Sequence, residues 1–138
     1  MRATGVPARE RPRYRALMSV PKGGAVVHLI AELTGIASAQ LHDAALLGGL
    51  LIAAAGAAGL HATAPPMLRS DALRGVDALL LLEGGHATLH AEAHRRTLLV
   101  DLLVPEPAEL GRALDVLTRR LAPTGVAAER LIRLAAVT

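Results

Sequence analysis

One stretch of 20 residues, "GVDALLLLEGGHATLHAEAH" (residues 75–94), constrains the fold of this chain more than any other. Its first part is an almost unbroken apolar run, which is typical of a strand buried on both faces. After Glu83 and two glycines, polar and apolar residues alternate, which predicts a strand with one dry face. The other face of this second strand carries a row of polar side chains: His86, Thr88, His90, Glu92 and His94.

The segments around this stretch add further strands and two helices. "AVVHLIAELTG", "TLLVDLLV" and "ERLIRLAAV" read as strands, and "LHATAPPML" predicts a short strand that its prolines restrict to an edge, before a loop at "RSDALRG". One helix is predicted from a capping Ser38 to Gly59, and an amphipathic helix over "PEPAELGRALDVLTRRLAPTG". Helices inserted among mostly antiparallel strands predict an α+β two-layer sandwich, with both helices on one face of the sheet.

Positive charge is concentrated at the N-terminus. Residues 1–22 hold six basic residues against Glu10 alone, whereas the rest of the chain holds nine basic and eleven acidic residues. We expect residues 1–24 to form a disordered basic arm and residues 25–138 to form one domain. Because that domain has no basic face, we expect no nucleic-acid partner. The arm lacks the apolar centre of a signal peptide and the chain has no cysteine, so we expect a cytoplasmic protein.

The most apolar segment is "AALLGGLLIAAAGAAGL", residues 44–60. Its length is at the lower end of the roughly 17–25 residues that a membrane-spanning helix needs. It contains four glycines, and histidine and aspartate flank it in place of the basic or aromatic residues that anchor membrane helices. We therefore expect a helix packed on the sheet, and no membrane partner.

Three segments resemble the short prokaryotic S-adenosylmethionine decarboxylases, which are pyruvoyl enzymes. They are "HLIAELTG" with the helix after it, "GVDALLLLEGGHATLHAEAH", and "LLVDLLVPEP" with its helix, and together they span roughly residues 25–122. The resemblance implies the decarboxylase fold and a dimer with sites near its interface, hence a homodimer or a heterodimer with a paralogue. It also implies self-cleavage before a serine, which becomes a pyruvoyl group. That group forms a Schiff base with the substrate amine and accepts the electron pair left by CO₂.

The chain departs from the family pattern at the residues that carry this chemistry. The family strand reads Glu-Ser-His-x-Ser-x-His-Thr-Trp-Pro-Glu, and the resemblance places Gly85 at its first serine and His94 at its last glutamate. Asp77 stands where the family has another serine, and Pro105 stands where it has a proton-donor cysteine. The aromatic residue that stacks on adenine has no counterpart. Since glycine has no hydroxyl, we expect an uncleaved chain without a pyruvoyl cofactor.

Two interpretations of the function remain open. The first is a catalytically silent relative that acts as a partner or regulatory protein, for example of an active decarboxylase paralogue. The absence of the serine, the proton donor and the aromatic residue favours it. The second is a repurposed enzyme that acts on S-adenosylmethionine or another amine or amino acid by acid–base or metal chemistry; the many retained ionisable residues favour it. Passive binding of S-adenosylmethionine or a polyamine is a third interpretation, which the missing aromatic stack disfavours.

The candidate site residues come from the polar strand row and from the resemblance, in which His90 is the retained processing histidine, five residues after Gly85. Candidate catalytic residues are His90, His86, Asp77 and Glu83. Candidate substrate-binding residues are His94, Glu92, Gly84 and Gly85. A divalent metal is the one cofactor that these side chains suggest, because imidazoles on one strand face with a nearby carboxylate suit zinc or a similar ion. Its ligands would be His86, His90, Glu92 and His94; the alternative is that they are remnants of the family site.

Two aspartates need partners. Asp77 beside His90 would form an acid–base pair, because a carboxylate orients an imidazole and raises its pKa. The alternative for Asp77 is a surface residue in a turn after Gly75. Asp101 lies inside an apolar strand and requires a polar partner there, so we expect a structural role for it. His28 matches a family histidine and is expected to be a satisfied core or edge residue.

Overall fold

The computed structural model describes residues 25–134. The basic arm, for which we expect disorder, and residues 135–138 lie outside the described part of the chain. Six strands and three helices form within it. The strands are β1 (Val26–Thr34), β2 (Met67–Asp71), β3 (Gly75–Leu82), β4 (Gly85–Glu92), β5 (Thr97–Pro105) and β6 (Gly125–Arg133). The helices are α1 (Ser38–Leu41), α2 (Ala44–Ala57) and α3 (Leu110–Leu121), with a 3₁₀ turn at Ala93–Arg95.

The strands form one antiparallel sheet in the order β2-β3-β4-β5-β1-β6. Along the central strands β1, β3, β4 and β5, every second residue is an aliphatic side chain that joins the core with α2 and α3. The residues between them point to the opposite side, which no helix of residues 25–134 covers; we call this side the open sheet face. The predicted α+β sandwich with both helices on one face is therefore confirmed.

The helix predicted from Ser38 to Gly59 is in fact two helices. It breaks at His42 and Asp43, and the Asp43 carboxylate accepts a hydrogen bond of 3.0 Å from the backbone N–H of Leu46. Asp43 is thus the N-cap of the long helix, a role for which short polar side chains are favoured. The prediction of Ser38 as the cap was wrong because the chain contains two capping side chains, and only packing decides which of them begins the long helix.

Strand β2 lies at one edge of the sheet, as the two prolines before it predicted. It extends through Asp71, so the expected loop at "RSDALRG" begins later than the sequence indicated. The turn that follows is held by the Asp71 carboxylate, which accepts hydrogen bonds of 2.8 Å from the backbone N–H groups of Leu73 and Arg74. Among the helices of residues 25–134, none has the length and apolar character to cross a membrane.

Candidate functional site

The first candidate region is the tight hairpin between β3 and β4. Leu82 pairs with Gly85, and Glu83 and Gly84 form the turn between them. Gly84 has a φ of +77°, a left-handed conformation that side-chain-bearing residues rarely adopt. Gly85 is confined by its neighbours: a Cβ atom there would lie 2.0 Å from the carbonyl oxygen of Leu103 on β5. Position 85 therefore has no room for any side chain unless β5 moves.

The second candidate region lies near the other end of β4, on the open sheet face. Asp77 on β3 is directly opposite His90 in the register. Its Oδ1 atom lies 2.6 Å from Nδ1 of His90, and Oε1 of Glu92 lies 2.8 Å from Nε2 of the same ring. Arg69 on β2 reaches the other oxygen of Asp77 at 3.4 Å, and His94 reaches Glu92 at 3.6 Å. We call these five residues the His90 cluster.

Electrostatics in the His90 cluster favour a protonated ring. The hydrogen bond to Glu92 is the main reason why the pKa of His90 is raised above its ordinary value of 6.5, and the charge of Asp77 adds to it, although partial burial opposes the shift. The same hydrogen bond lowers the pKa of Glu92 below its ordinary value. A neutral imidazole has one N–H, so donating to both carboxylates requires the imidazolium form. The ring thus links two carboxylates across adjacent strands.

The structure places the predicted residues in two separate groups. The predicted proximity of Asp77 and His90 is found, and Asp77 lies in a strand, not in a turn. Glu83 is exposed in the hairpin, and His86 lies beside the hairpin. His86 is four residues before His90, which at about 3.4 Å per residue separates the two histidines by roughly 13 Å of strand. Gly84 and Gly85 share the hairpin with Glu83.

The four residues predicted as metal ligands are not all brought together: His90, Glu92 and His94 belong to the His90 cluster, whereas His86 lies near the hairpin. Within residues 25–134 the structure has no group of three or more histidine and carboxylate side chains that is arranged to hold a metal ion. The reason is geometric: His90 uses both ring nitrogens on Asp77 and Glu92, and His86 lies four residues away along the strand. Ligands on one strand must point to the same face to share a metal ion, but pointing to the same face does not bring their donor atoms to one point.

Sequence reasoning missed Arg69 and the cleft beside it. A shallow cleft of about 400 Å³ lies between β2, β3 and β4, and its lining includes Met67, Arg69, Asp77, Thr88 and His90. Arg69 was missed because the segment that contains it was interpreted as a loop, whereas it pairs directly with Asp77 in the sheet. The short apolar start of β2, "ML", was the available signal that a strand continues beyond the prolines.

Asp101 has the partner that its position demands. Its Oδ1 atom lies 2.6 Å from Nε2 of His28, on the neighbouring strand β1. The His28 ring is mostly buried, and this pair lies on the open sheet face away from the His90 cluster. The pair gives both side chains a hydrogen-bond partner, which is what a structural role requires.

Comparison with known proteins identifies the fold first and then the family. The structure is similar to the crystal structure of the adenosylmethionine decarboxylase from Aquifex aeolicus VF5, with a TM-score of 0.73 and 21% sequence identity over 83% of this chain and 94% of that one. The sequence model of the S-adenosylmethionine decarboxylase family matches residues 27–134. The chain therefore belongs to the S-adenosylmethionine decarboxylase family. No curated protein sequence matches it significantly.

Proposed function

We propose that this chain is a family member that stays uncleaved, forms no pyruvoyl group and acts as a non-decarboxylating partner or regulatory subunit. The observation that carries the proposal is the environment of Gly85. If Gly85 occupies the position of the pyruvoyl-forming serine, as its spacing to His90 suggests, the chain lacks the hydroxyl that self-cleavage needs. The contact of 2.0 Å between a Cβ at this position and the carbonyl oxygen of Leu103 also leaves no room for that hydroxyl.

The changes at Pro105 and Asp77 support the same proposal. Pro105 replaces the proton donor implied by the resemblance, and its ring carbon lies 3.4 Å from a Cβ built on Gly84, so Pro105 lies at the hairpin end of the sheet, beside Gly84, which directly precedes Gly85 in the sequence. Asp77 carries a charge where the resemblance implies a serine, and it is already paired with His90 and Arg69. With Gly85, Pro105 and Asp77 at three positions that the family reaction uses, the chain keeps the family fold but has no route to decarboxylation.

The open sheet face supports a role as a partner. It exposes large apolar side chains on strands β2, β3 and β5: Met67 at 65%, Leu81 at 48% and Leu99 at 37% of their surface. An antiparallel sheet with one free face commonly turns polar residues to solvent, so apolar residues on a free face indicate contact with another protein. We propose that this face pairs with a second copy of the chain or with an active paralogue.

Two mass measurements test this function. Intact-mass analysis under denaturing conditions is expected to give one chain of 14.3 kDa, and two fragments that separate near Gly85 would contradict the proposal. Native mass spectrometry is then expected to give a homodimer, or a complex with a cleaved decarboxylase when the two proteins are co-expressed. Leu81→Lys on the open sheet face is expected to abolish either complex. Ile52→Lys on α2, where the side chain is equally exposed, is the matched control.

The His90 cluster supports a second candidate function, acid–base chemistry on an amine or amino acid in the adjacent cleft. The supporting observation is that His90, with its raised pKa, lines the cleft of about 400 Å³ together with Asp77 and Thr88. A protonated imidazole can donate a proton to a bound ligand once Asp77 or Glu92 turns away and releases one of its two N–H groups. The test is a ¹H–¹⁵N titration of the His90 ring with S-adenosylmethionine and simple diamines. A saturable shift that Asp77→Asn removes would support this candidate, and the absence of any shift would exclude these ligands.

A further inference from the structure

A cavity and an uncovered helix face lie where the basic arm joins the domain. The cavity, of about 410 Å³, lies between the C-terminal end of α2 and the segment that leads into α3, and is lined by Gly56, Leu60, Pro107, Glu109 and Arg112 among others. Ala25, the first described residue, is at its rim, because its carbonyl oxygen accepts a hydrogen bond of 2.9 Å from the backbone N–H of Glu106. The described part of the chain therefore begins next to a residue of the cavity lining, Glu106.

The helix face that continues from the cavity is apolar and uncovered. Helix α2 contains no charged residue, and Ile52 exposes 47% of its surface on the side that faces away from the sheet. In the described part of the chain no atom lies within 4 Å of a Cβ built on Gly49 or Gly56, which flank Ile52 on this side. Helix α3, in the same layer, instead has a regular polar outer side that includes Arg112, Arg119 and Arg120. A solvated helix normally resembles α3.

The C-terminal end of α2 differs from that of α3 in the charges of its own residues. The last turn of α2 contains no basic residue, whereas α3 carries Arg119 and Arg120 in its last turn. The carbonyl groups at a helix C-terminus attract cations. The carboxylates of the cavity do not provide strong attraction, because Glu106 is paired with Arg130 at 3.0 Å and Glu109 is paired with Arg112. Arg112 also lines the cavity, but Glu109 neutralises it, so a cation from another segment would meet no net positive charge at this end of α2.

We propose that residues 14–22 of this same chain, "YRALMSVPK", bind in the cavity and along the outer face of α2. Lys22 lies three residues before Ala25, so its ammonium group can approach the α2 carbonyls, and the apolar residues before it can cover the helix face. The 14 residues of α2 span roughly 21 Å, which about seven extended residues cover. This binding would replace the disorder expected for the second half of the arm.

Charge and location favour this occupant over others. The arm has six basic residues against one acidic residue in positions 1–22, and the last turn of α2, where a cation is favourable, contains no basic residue of its own. It lies outside residues 27–134, which match the family, so it is an addition that the family core does not need. A membrane surface is a poorer complement, because the uncovered face offers one large side chain, Ile52, among alanines and glycines.

Disulfide trapping tests the proposal directly, because the chain has no cysteine of its own. Val20→Cys combined with Ile52→Cys is expected to form an intramolecular disulfide rapidly under mild oxidation. The matched control is Val20→Cys with Leu81→Cys, since Leu81 is as exposed as Ile52, at 48% against 47%, but lies on the open sheet face. We expect trapping at Ile52 to be severalfold faster than at Leu81, and Lys22→Glu to slow it.

Each of the other outcomes overturns the proposal in a recognisable way. Equal trapping rates at both positions would mean that the arm binds neither face. A covalent dimer linked through the two introduced cysteines would mean that a second copy covers α2. Trapping at Ile52 that disappears when anionic phospholipid vesicles are added, with the chain co-sedimenting, would mean that a membrane competes successfully for the arm. None of these results depends on whether the protein decarboxylates a substrate.

Discussion

The two ends of strand β4 differ in the side chains that they carry. At the hairpin end, Gly84 and Gly85 leave no reactive side chain, and the surrounding backbone closes over position 85. At the other end, His90 and Glu92 form a charged network with Asp77 from β3. The comparison teaches that a strand with a closely confined glycine turn at one end can carry neighbouring ionisable groups at the other. They can remain as a link between strands because each charge has a partner.

The largest expected effect concerns the hairpin. Gly85→Ser introduces a hydroxyl but places its Cβ against the carbonyl oxygen of Leu103, so we expect the free energy of unfolding to fall by about 2 kcal/mol or more. We also expect the variant to remain uncleaved. Urea denaturation and intact-mass analysis measure the two effects.

Gly111→Ala in α3 is the control for this substitution. No atom lies within 4 Å of a Cβ at that position, so the alanine is expected to stabilise the helix by about 0.5–1 kcal/mol. If Gly85→Ser is as stable as the wild type, position 85 is less confined than the structure indicates. If it cleaves itself, the family reaction needs only that hydroxyl.

The next effect concerns the charged end of β4. His90→Gln leaves Asp77 and Glu92 without the cation between them, so we expect a loss of about 1 kcal/mol or less, because the cluster is partly exposed to solvent. His86→Gln, on the same strand face, is the control and should change stability by less than about 0.5 kcal/mol. Equal effects of the two substitutions would show that the network contributes nothing specific.

The pH dependence of stability sharpens the contrast. Folding raises the pKa of His90 above 6.5, so its contribution is complete below that value and is lost as pH rises through the raised pKa. Folding lowers the pKa of Glu92 below 4.5, so its contribution is present above that value and is lost on acidification. The difference in stability between wild type and His90→Gln should therefore be greatest between pH 4.5 and 6.5. Denaturation curves at about pH 5.5 and about pH 9 measure it, and a difference that grows toward alkaline pH would contradict the assignment.

The smallest expected effect is that of metal ions. Because the carboxylates of the His90 cluster bind the imidazole and His86 lies apart, we expect neither zinc nor EDTA to change Tm. Differential scanning fluorimetry with and without each additive is sufficient. A saturable rise in Tm with zinc, abolished by His90→Gln, would show that the cluster rearranges to bind metal.

Much of the fold was predictable from local patterns. Alternation in β4 and the apolar runs in β3 and β5 predicted these strands, and the prolines before β2 predicted its edge position. Errors arose where two local signals compete. Ser38 and Asp43 are both good caps, and in the structure Asp43 caps the long helix whereas Ser38 is the first residue of the short one.

The candidate site was predictable only in part. The period of two placed His86, His90 and Glu92 on one face, but it gave no distances to other strands. From the sequence, Asp77 could lie in a turn or pair with His90. All four predicted metal ligands came from one strand, so their distances from each other were not tested. The register of β3 against β4 decides the first question, because it puts Asp77 opposite His90. The second depends on spacing along β4, since His86 lies four residues before His90 on the same strand.

By itself, the sequence determined that position 85 has no hydroxyl, that the polar side chains of β4 share one face and that the net positive charge of the chain comes from the arm. The tertiary structure decided that Leu103 closes the space at Gly85 and that Asp77, His90, Glu92 and Arg69 meet in one cluster. The physical reason is that a strand pattern specifies direction, whereas contacts between strands depend on register, and a shift of one residue exchanges every neighbour.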